Sequence, residues 1–480
     1  MPLPILTVDR MREWEKATWS SGVKEEAVMR RAGQAIARAA ESLTRQQDRV
    51  LFLAGKGHNG DDALFAREYI QARHTDLVRV VDPAIAASEL SALLARKPAL
   101  IVDGLFGIGL TRPLSPDWIG FIDRVNACGC PVLSVDVPSG LDAATGATYG
   151  TAIRARRTVT LGAAKIGLLA HTAWDFVGQL EIAPDIGLVP CPFESDVEAS
   201  IGDDFVDFPP PRSVSGHKGS FGHLTILAGS RGFHGAAILA ARGAQRAQPG
   251  LITLSVPESV YVPIAAQLQA VMVQPASDRP RVPEGATAIL TGPGLAATDL
   301  PQGFREFIRE LWQNSKLPVI ADASALDWLP AGEVTGDSTR IITPHPGEAA
   351  RMLGLSTSVL QSDRPGAVRV LSTKFGGCHV VLKGHQTLVG GMGGCIGVNL
   401  SGNPWLAQGG SGDLLSGYLA GLVAQPVLNR TLVKTARFAV WQHGAAGDAL
   451  LDSKPHFTIE DLADALGSVR PERRLECDWK

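Results

Sequence analysis

Short apolar runs alternate with amphipathic segments along the first part of the chain. The apolar runs at residues 49–54, 99–102 and 131–137 predict buried strands, because each is too short for a buried helix. Apolar spacing of three and four residues predicts helices between them, at 61–73 and 116–128. Strands that alternate with helices indicate a parallel sheet with right-handed crossovers, in which ligands bind at the carboxyl ends of the strands.

The same alternation restarts after residue 219, which predicts a second and larger α/β domain. In the first domain, residues 11–43 predict a helical pair that packs outside the sheet. The predicted strands of the second domain are 223–228, 251–256, 286–290, 317–321, 340–342 and 379–382. Its predicted helices are 236–248, 303–313, 347–353, 364–375, 412–424 and 431–451.

A stretch rich in proline, serine and acidic residues separates the two patterns, at residues 190–219. This composition is typical of a linker. The chain has 480 residues, about three times the usual length of one domain. We therefore expect two α/β domains, at residues 1–208 and 209–480.

Charge and cysteine content narrow the class of protein. The chain has 45 Lys and Arg against 48 Asp and Glu, so it lacks the basic surface that nucleic-acid binding usually needs. Its six cysteines form no Cys-x-x-Cys pair, and its start lacks the basic tip and apolar run of a secretory signal. No apolar run approaches the ~20 residues of a membrane helix. We expect a soluble cytoplasmic protein with reduced thiols and no nucleic-acid or membrane partner.

The segment 402–422 combines a glycine-rich turn with the start of an apolar helix. Gly409, Gly410 and Gly412 allow successive backbone amides to face one point, where the helix dipole favours an anion such as phosphate. Asp413 stands beside this point and can accept a proton from a hydroxyl that receives a phosphoryl group. The alternative is that Asp413 caps the helix and the glycines turn the chain.

Two other strand ends carry residues suited to a nucleotide. Gly292–Gly294 follows one predicted strand, and the sequence K-G-H-Q-T from Lys383 to Thr387 follows another. Two prolines stiffen the loop T-P-H-P-G-E, which presents His345. A phosphate-loop NTPase is excluded, because G-x-x-x-x-G-K-[ST] does not occur. Taken alone, Lys383 is better explained as a solvated loop lysine and His345 as a bystander.

In the first domain, the sequence G-K-G-H-N-G-D-D from Gly55 turns the first strand into a helix and favours an anion at the helix start. Three strand ends then deliver Asn59, Asp103, Asp136 and Ser139 to one edge of the sheet. Such an oxygen-rich cluster suits a hard monovalent cation beside a polar ligand. The alternative is that the aspartates of this domain complement helix dipoles or cap turns.

Taken together, these motifs resemble those of the bifunctional NAD(P)H-hydrate repair enzymes over nearly the whole chain and in the same order. This family joins an epimerase domain to an ADP-dependent dehydratase. The resemblance implies a Rossmann-like three-layer α/β domain followed by a ribokinase-like α/β domain. The matching pieces of the second half are H-K-G-S-F-G-H from His217, A-G-S-R-G-F-H-G-A-A from Ala228, T-G-P-G-L from Thr291, T-P-H-P-G-E, K-G-H-Q-T and G-N-P-W-L-A-Q-G-G-S-G-D.

For the dehydratase, the resemblance implies that Asp413 is the catalytic base, that ADP is the co-substrate and that magnesium accompanies it. The residues implied for ADP are Lys383, Gly384, His385, Gln386, Thr387 and Gly412, and those for the hydrated dinucleotide are Ala236, Gly294, His345 and Asp413. The sequence departs from the usual family pattern at Ser220, Ser324 and Trp405, where Asp, Asp and Gly are usual.

For the epimerase, the resemblance implies a potassium ion held by Asn59, Asp103 and Ser139. Proton transfer needs one poised carboxylate, for which Asp62 is the first candidate and Asp136 the second. The residues implied for the substrate are His58, Asn59, Gly60, Asp61, Asp62, Gly107, Ile108, Gly109, Leu110, Thr111, Arg112, Pro113 and Asp136. His58, Asp61 and Ala63 stand where the family usually has Asn, Gly and Gly.

We therefore expect an enzyme that epimerises R and S hydrated NAD(P)H and dehydrates the S form to NAD(P)H, with release of AMP and phosphate. Its expected partners are the small molecules NADHX and NADPHX and further copies of the same chain. The alternative is a ribokinase-like kinase for a small alcohol or vitamin, joined to a binding domain without catalysis.

Overall fold

A computed structural model describes residues 3–335 and 338–471, and the chain divides there into two compact units. The first unit is Leu3–Ser195 and the second begins at Asp196. The boundary falls N-terminal to residue 208, because residues that we predicted as linker are packed. Val197–Ser200 forms a strand, and Phe205 is buried in the core of the second unit. Within the described ranges, no helix has the length and apolar character needed to cross a membrane.

The first unit contains a six-stranded parallel sheet. Its helices are α1 (Val8–Ser20), α2 (Glu25–Ser42), α3 (His58–Tyr69), α4 (Pro83–Leu94), α5 (Pro116–Ala127) and α6 (Trp174–Val177). Its strands are β1 (Leu3–Leu6), β2 (Arg49–Ala54), β3 (His74–Arg79), β4 (Leu100–Gly104), β5 (Val132–Val135), β6 (Arg157–Leu161), β7 (Ala164–Lys165) and β8 (Gln179–Ala183). The sheet order is β3-β2-β4-β5-β6-β8, and β1 pairs separately with β7.

Two apolar layers sandwich this sheet, as the buried strands predicted. On one face, Ala32 and Ile36 of α2 pack with Phe52 and Val102 of the sheet. On the other face, Leu90 of α4 and residues of α5 pack against neighbouring strands. The chain order reverses between β2 and β4, which is where open α/β sheets bind ligands.

The second unit contains a larger, mostly parallel sheet. Its strands are β9 (Val197–Ser200), β10 (His223–Leu227), β11 (Leu251–Pro257), β12 (Met272–Ala276), β13 (Ala288–Thr291), β14 (Val319–Ala321), β15 (Arg340–Ile342), β16 (His379–Leu382), β17 (Leu388–Gly390) and β18 (Ile396–Asn399). Its helices are α7 (His234–Ala247), α8 (Tyr261–Ala265), α9 (Gln302–Asn314), α10 (Pro346–Leu353), α11 (Thr357–Ser362), α12 (Arg364–Lys374), α13 (Ser411–Val423), α14 (Pro426–Asn429), α15 (Leu432–Ser453) and α16 (Ile459–Ala465).

The strands of this unit run in the order β12-β11-β10-β13-β14-β15-β16-β17-β18-β9. Neighbours from β12 to β16 are parallel, and β17 is antiparallel to both strands beside it. The chain order reverses between β10 and β13, so this unit also has a ligand-binding switch point at the carboxyl ends of its strands.

Helices α7 and α13 pack with their backbones almost in contact. A Cβ atom added to Gly243 would lie 2.1 Å from the Leu414 carbonyl oxygen, and one added to Gly417 would lie 1.9 Å from that of Ala240. Glycine is therefore required at both positions, and the close approach fixes where α13 begins.

Candidate active sites

In the second unit, two loops meet at the switch point between β10 and β13. Gly294 has a φ of +67°, and a Cβ atom there would lie 2.4 Å from the Phe233 carbonyl oxygen and 2.9 Å from Ala236 Cβ. The Ser230 hydroxyl also donates to the Gly294 carbonyl oxygen at 2.6 Å. The predicted substrate residues Gly294 and Ala236 are therefore neighbours. Gly294 lies on the loop after β13 and Ala236 near the start of α7, and the Ser230 hydrogen bond joins the loop before α7 to Gly294.

Helix α13 brings Asp413 to the same edge of the sheet. Gly410 precedes the helix in the left-handed conformation, with φ +95°, and no side chain caps the first turn. Its backbone amides consequently have no side-chain acceptor, as an anion site requires. A Cβ atom added to Gly412 would lie 3.2 Å from Lys383 Nζ, which shows that the lysine approaches the helix start.

Lys383 is held by a carboxylate that the sequence analysis did not identify. Its Nζ donates to Asp322 Oδ1 at 2.7 Å, and the Asp322 side chain is buried directly after β14. Burial opposes the charge of Lys383, but the carboxylates of Asp322 and Glu348 outweigh it and raise the lysine pKa. The position of Asp322 directly after a predicted strand could have identified it as a site residue. The sequence analysis considers only Ser324 in that loop.

Asp413 has the electrostatic properties of a base that works near neutral pH. Burial raises its pKa to about 7, and repulsion from Asp322 and Glu348 adds to this effect, while Lys383 opposes it. A proton acceptor is most effective when its pKa lies near the working pH. The predicted base thus has a suitable pKa, beside a cation and an uncapped helix start.

His345 caps α10, a role that the sequence analysis did not predict. Its Nδ1 accepts from the Gly347 and Glu348 amides at 3.0 and 3.3 Å, and its own amide donates to Glu348 Oε2 at 2.8 Å. These bonds require an unprotonated Nδ1, so the ring presents an Nε2–H group, and the side chain is 56% exposed. Nε2 lies 3.5 Å from Glu348 Oε1, so the ring is held from both nitrogens and its exposed face is accessible to a ligand.

The predicted nucleotide loop from Lys383 to Thr387 is compact: Gln386 and Thr387 are buried, whereas Gly384 and His385 are exposed. The Thr387 hydroxyl donates to the Gly384 carbonyl oxygen at 2.9 Å, and Gln386 has a φ of +54°. Partial burial lowers the pKa of His385 to about 4, so its ring is uncharged at neutral pH. Trp405, by contrast, is 52% exposed, so its large ring is accommodated at the surface.

In the first unit, a cavity of about 1030 Å³ opens at the switch point between β2 and β4. The loop that begins at Gly55 and the loop that follows Leu105 form its walls. Helix α3 begins at Gly57 without a side-chain cap, as α13 does. The predicted substrate residues that line the cavity are His58, Asn59, Asp62, Gly107, Ile108, Gly109, Leu110, Thr111, Arg112, Pro113 and Asp136.

Two predicted substrate residues do not line this cavity. Asp61 turns towards Arg79, whose guanidinium lies 3.2 Å from its Oδ1. Gly60 packs on the preceding loop, and a Cβ atom there would lie 2.2 Å from the Gly55 carbonyl oxygen. The Ala63 methyl group is fully buried against Gly104. The unusual residues Asp61 and Ala63 therefore do not line the cavity.

The three predicted potassium ligands lie together. Ser139 Oγ and its amide donate to the fully buried Asp103 carboxylate at 2.6 and 2.9 Å. Asn59 Nδ2 donates to the Phe106 carbonyl oxygen at 2.9 Å, and the Phe106 amide donates to Ser139 Oγ at 2.9 Å. The three side chains offer oxygen ligands and a single negative charge, that of Asp103, so they fit a hard monovalent cation. In the described ranges, no group of three or more His, Cys, Asp or Glu could hold a metal ion.

Asp136 is paired with a buried lysine. Its Oδ1 accepts from Lys165 Nζ and from the Thr160 hydroxyl and the Leu161 amide, at 3.1 and 3.0 Å for the last two. The residue also has a φ of +62°, a conformation that aspartate tolerates better than most residues. Lys165, which also lines this cavity, therefore holds the Asp136 side chain in place.

Asp62 and Glu15 add two further carboxyl groups to the same cavity. Burial raises the pKa of Asp62 well above its usual value, and repulsion from Asp136 and Glu15 adds to it. Burial also raises the pKa of Glu15. The sequence analysis predicts only that the helical pair containing Glu15 packs outside the sheet. Nothing in the local pattern shows that α1 reaches the cavity.

The fold and the two sites define a two-domain α/β protein with a cavity of about 1030 Å³ in one domain. In the other domain, a carboxylate, a lysine and an uncapped helix start lie together. Family models match both parts. Residues 224–468 match the NAD(P)H-hydrate dehydratase model, and residues 25–92 and 67–167 match the YjeF-related protein N-terminus.

Relatives match nearly the whole chain. The bifunctional NAD(P)H-hydrate repair enzyme Nnr of Gloeobacter violaceus is 35% identical over 95% of this chain and 96% of its own. The enzyme of the same name from Coxiella burnetii is 34% identical over 92% of this chain and 93% of its own. The chain therefore belongs to the family of bifunctional NAD(P)H-hydrate repair enzymes, and the predicted resemblance is confirmed.

Among solved structures, the ADP/ATP-dependent NAD(P)H-hydrate dehydratase from Bacillus subtilis, co-crystallised with ATP and Mg²⁺, is 30% identical. The match covers 54% of this chain and 92% of that one, with a TM-score of 0.48. A ribokinase-like superfamily protein from Enterococcus faecalis is 25% identical over 57% of this chain and 96% of that one, with a TM-score of 0.49.

Proposed function

We propose that this chain restores hydrated NADH and NADPH, with epimerisation of R and S NAD(P)HX in the first domain and ADP-dependent dehydration of the S form in the second. The observation that carries the dehydratase assignment is Asp413, a carboxylate with a pKa of about 7 at an uncapped helix start. Membership of the repair-enzyme family supports the choice of substrate over another alcohol.

Dehydration begins at the ring hydroxyl, which is a poor leaving group. Asp413 accepts the hydroxyl proton while the oxygen attacks the terminal phosphorus of ADP, and the bond from that phosphorus to AMP breaks. Lys383 and the amides at the start of α13 stabilise the charge on the transferred group. The ring nitrogen lone pair then expels phosphate, and loss of the proton on the adjacent ring carbon gives NAD(P)H. The products are NAD(P)H, AMP and phosphate.

Magnesium is proposed to arrive with the nucleotide. Mg²⁺ is usually held by one or two carboxylates together with substrate phosphates, so a dedicated cluster of protein ligands is not needed. Asp322 and Asp413 are the carboxylates near the proposed phosphate position. The ion would neutralise the phosphate charge, while the protein holds Asp322 against Lys383.

Epimerisation requires the hydroxyl to leave the ring carbon and water to return on the other face. Asp62 has a raised pKa, so it can donate a proton to the departing hydroxyl and then accept one from the returning water. Asp136 stays paired with Lys165 and faces the cationic ring formed in between. Asn59, Asp103 and Ser139 would hold potassium beside the dinucleotide phosphates, where it supplies positive charge.

The decisive test mixes the purified chain with NADHX and ADP and follows the near-ultraviolet absorbance of NADH. When ADP is present, we expect the NADH absorbance to return and one AMP to appear for each NADH formed. Repeating the assay with ATP in place of ADP, and with NADPHX in place of NADHX, measures the preference for nucleotide and for substrate. Asp413→Asn should abolish the signal and leave ADP affinity nearly unchanged. A stable phosphorylated alcohol in place of NADH would instead identify a kinase.

We also propose a cytoplasmic homo-oligomer. Five cysteines in the described ranges are free, namely Cys128, Cys130, Cys191, Cys378 and Cys395, which supports a reducing compartment. Light scattering coupled to gel filtration should give a mass above the 50.7 kDa of one chain. A mass equal to that of one chain would contradict the oligomer.

A further inference from the structure

A buried arginine, Arg364, lies directly under the proposed nucleotide loop. It is the first residue of α12 and is 5% exposed. Its Nη1 donates to the carbonyl oxygens of His385 and Gln386 at 2.6 and 3.2 Å. Its Nη2 donates to those of Leu382 and Lys383 at 3.4 and 3.3 Å. One guanidinium therefore gathers carbonyl groups from four residues of a single turn.

This placement is unfavourable for Arg364 itself. A positive charge at a helix start opposes the helix dipole, and its removal from water carries a further cost. Burial lowers the pKa of Arg364 to about 10, so the group is still charged at neutral pH. Arg364 thus fixes the shape of the loop, although its charge is buried and lies at an unfavourable end of the helix.

The gathered carbonyls determine where the loop amides face. In a trans peptide the carbonyl and the following amide point in opposite directions. The carbonyls of Lys383, His385 and Gln386 face Arg364, so the amides of the residues that follow them face away from it. Gly384 and Gln386 hold this shape with φ values of +118° and +54°.

The outward side of the loop has unsatisfied hydrogen-bonding groups. In the part of the chain that the structure describes, the Gly384 and Gln386 amides have no backbone or side-chain acceptor. The Gln386 side chain is 7% exposed, and both of its polar atoms lack a partner among the same residues. Gly384 is exposed, so its amide is accessible to a ligand, whereas the buried Gln386 side chain would normally be bonded. A ligand with acceptor and donor atoms would therefore complete this loop.

We propose that Arg364 is a positioning residue for the nucleotide: it holds the turn from Lys383 to Thr387 so that the amides of Gly384, Gln386 and Thr387 bind ADP. This inference rests on the proposed function of the loop. Arg364 acts on one face and the nucleotide binds on the other, so the arginine itself does not touch ADP.

The test compares Arg364→Lys and Arg364→Gln in the full chain, with Arg369→Gln as the matched control. Arg369 lies on the same helix, is about one-third exposed, and reaches the Gly394 carbonyl oxygen at 3.3 Å. Lysine keeps the charge but lacks the planar fork that reaches several carbonyls. Loss of bonds to a charged group should raise the KM for ADP about 10- to 100-fold in Arg364→Lys, with kcat within about threefold.

A KM for ADP that is unchanged in Arg364→Lys would overturn the inference, as would an equal rise in Arg369→Gln. If the Arg364 variants do not fold, hydrogen exchange of the wild-type chain decides: ADP should slow exchange of the amides at 384–387, and no slowing would overturn it. Wild-type chain that fails to dehydrate NADHX with ADP would instead contradict the proposed function.

Discussion

Asp413 and Asp62 hold a proton more tightly than an exposed aspartate does, and for the same reasons. Asp62 is buried and Asp413 is half-buried, and each lies near other carboxylates that oppose its negative charge. Their proposed tasks differ because their surroundings differ. Asp413 lies beside Lys383 and an uncapped helix start, which suit phosphate, whereas Asp62 shares its cavity with Asp136 and Glu15.

The pH dependence of dehydration follows from Asp413. A base must be deprotonated to work, and the pKa of Asp413 is about 7, so lower pH removes the active form. We expect kcat/KM for NADHX to level off above pH 8 and to fall tenfold for each pH unit below about pH 6. Initial rates measured by NADH absorbance in buffers of constant ionic strength check this expectation, and a flat profile between pH 5 and 8 would contradict it.

Residue-level prediction succeeded where a motif stood at a strand end and failed where tertiary packing supplied the residue. The sequence analysis could place Asp103, Asp136 and Ser139 at one edge, because parallel strands end together, and the structure brings them there. Glu15 could not be identified in this way, because its helix reaches the cavity through packing that has no local pattern.

At the level of elements, both proposed sites use a helix that begins at glycine without a side-chain cap. In the first unit, side chains of Thr7, Asp82 and Ser115 cap α1, α4 and α5. Helices α2 and α6 also lack a side-chain cap, but neither follows a glycine. A cap would occupy the amides that a phosphate needs. Uncapped glycine starts at strand ends are therefore the feature that unites the two sites.

Two glycines of the first turn allow a matched test. A Cβ atom added to Gly60 would lie 2.2 Å from the Gly55 carbonyl oxygen, whereas one added to Gly57 would meet nothing within 4 Å. Gly60→Ala must shift α3 and should lower the unfolding free energy of the first domain by about 1–3 kcal/mol, with loss of epimerisation. Gly57→Ala should change stability by less than about 1 kcal/mol.

Calorimetry of the full chain and separate assays of the two reactions measure these effects. Dehydration of the S form should continue in both glycine variants, because the second domain has its own core. Equal destabilisation by the two substitutions would show that the turn is not closely packed.

Part of the pattern of elements was predictable, because central strands are short apolar runs. The sequence analysis did not predict β3, β6 and β8 of the first sheet, or β12, β17 and β18 of the second. The strands at 49–54, 340–342 and 379–382 have the predicted bounds. The strand Val197–Ser200 was missed because its sequence, V-E-A-S, is half polar and lies in a segment rich in proline and serine. It forms by pairing with β18, a distant contact that local composition does not reveal.

At the scale of the whole molecule, each domain has its own sheet, core and site, so the two reactions can be separated by substitution. The epimerase makes the whole hydrate pool accessible to a dehydratase that takes one epimer. A chain that combines both activities should therefore consume a mixture of epimers completely in one phase when epimerisation is fast.

Asp62→Asn separates the two steps with little change of shape, because asparagine matches aspartate in size but cannot transfer the proton. With mixed NADHX epimers and ADP, we expect wild-type chain to restore NADH in one phase. The variant should restore the S fraction at the wild-type rate and the R fraction at the uncatalysed rate of epimerisation. Absorbance traces with chromatographic separation of the epimers measure both phases, and addition of Asp413→Asn chain should return the single phase. A single rapid phase from Asp62→Asn alone would assign proton transfer to another group, with Glu15 the next residue to substitute.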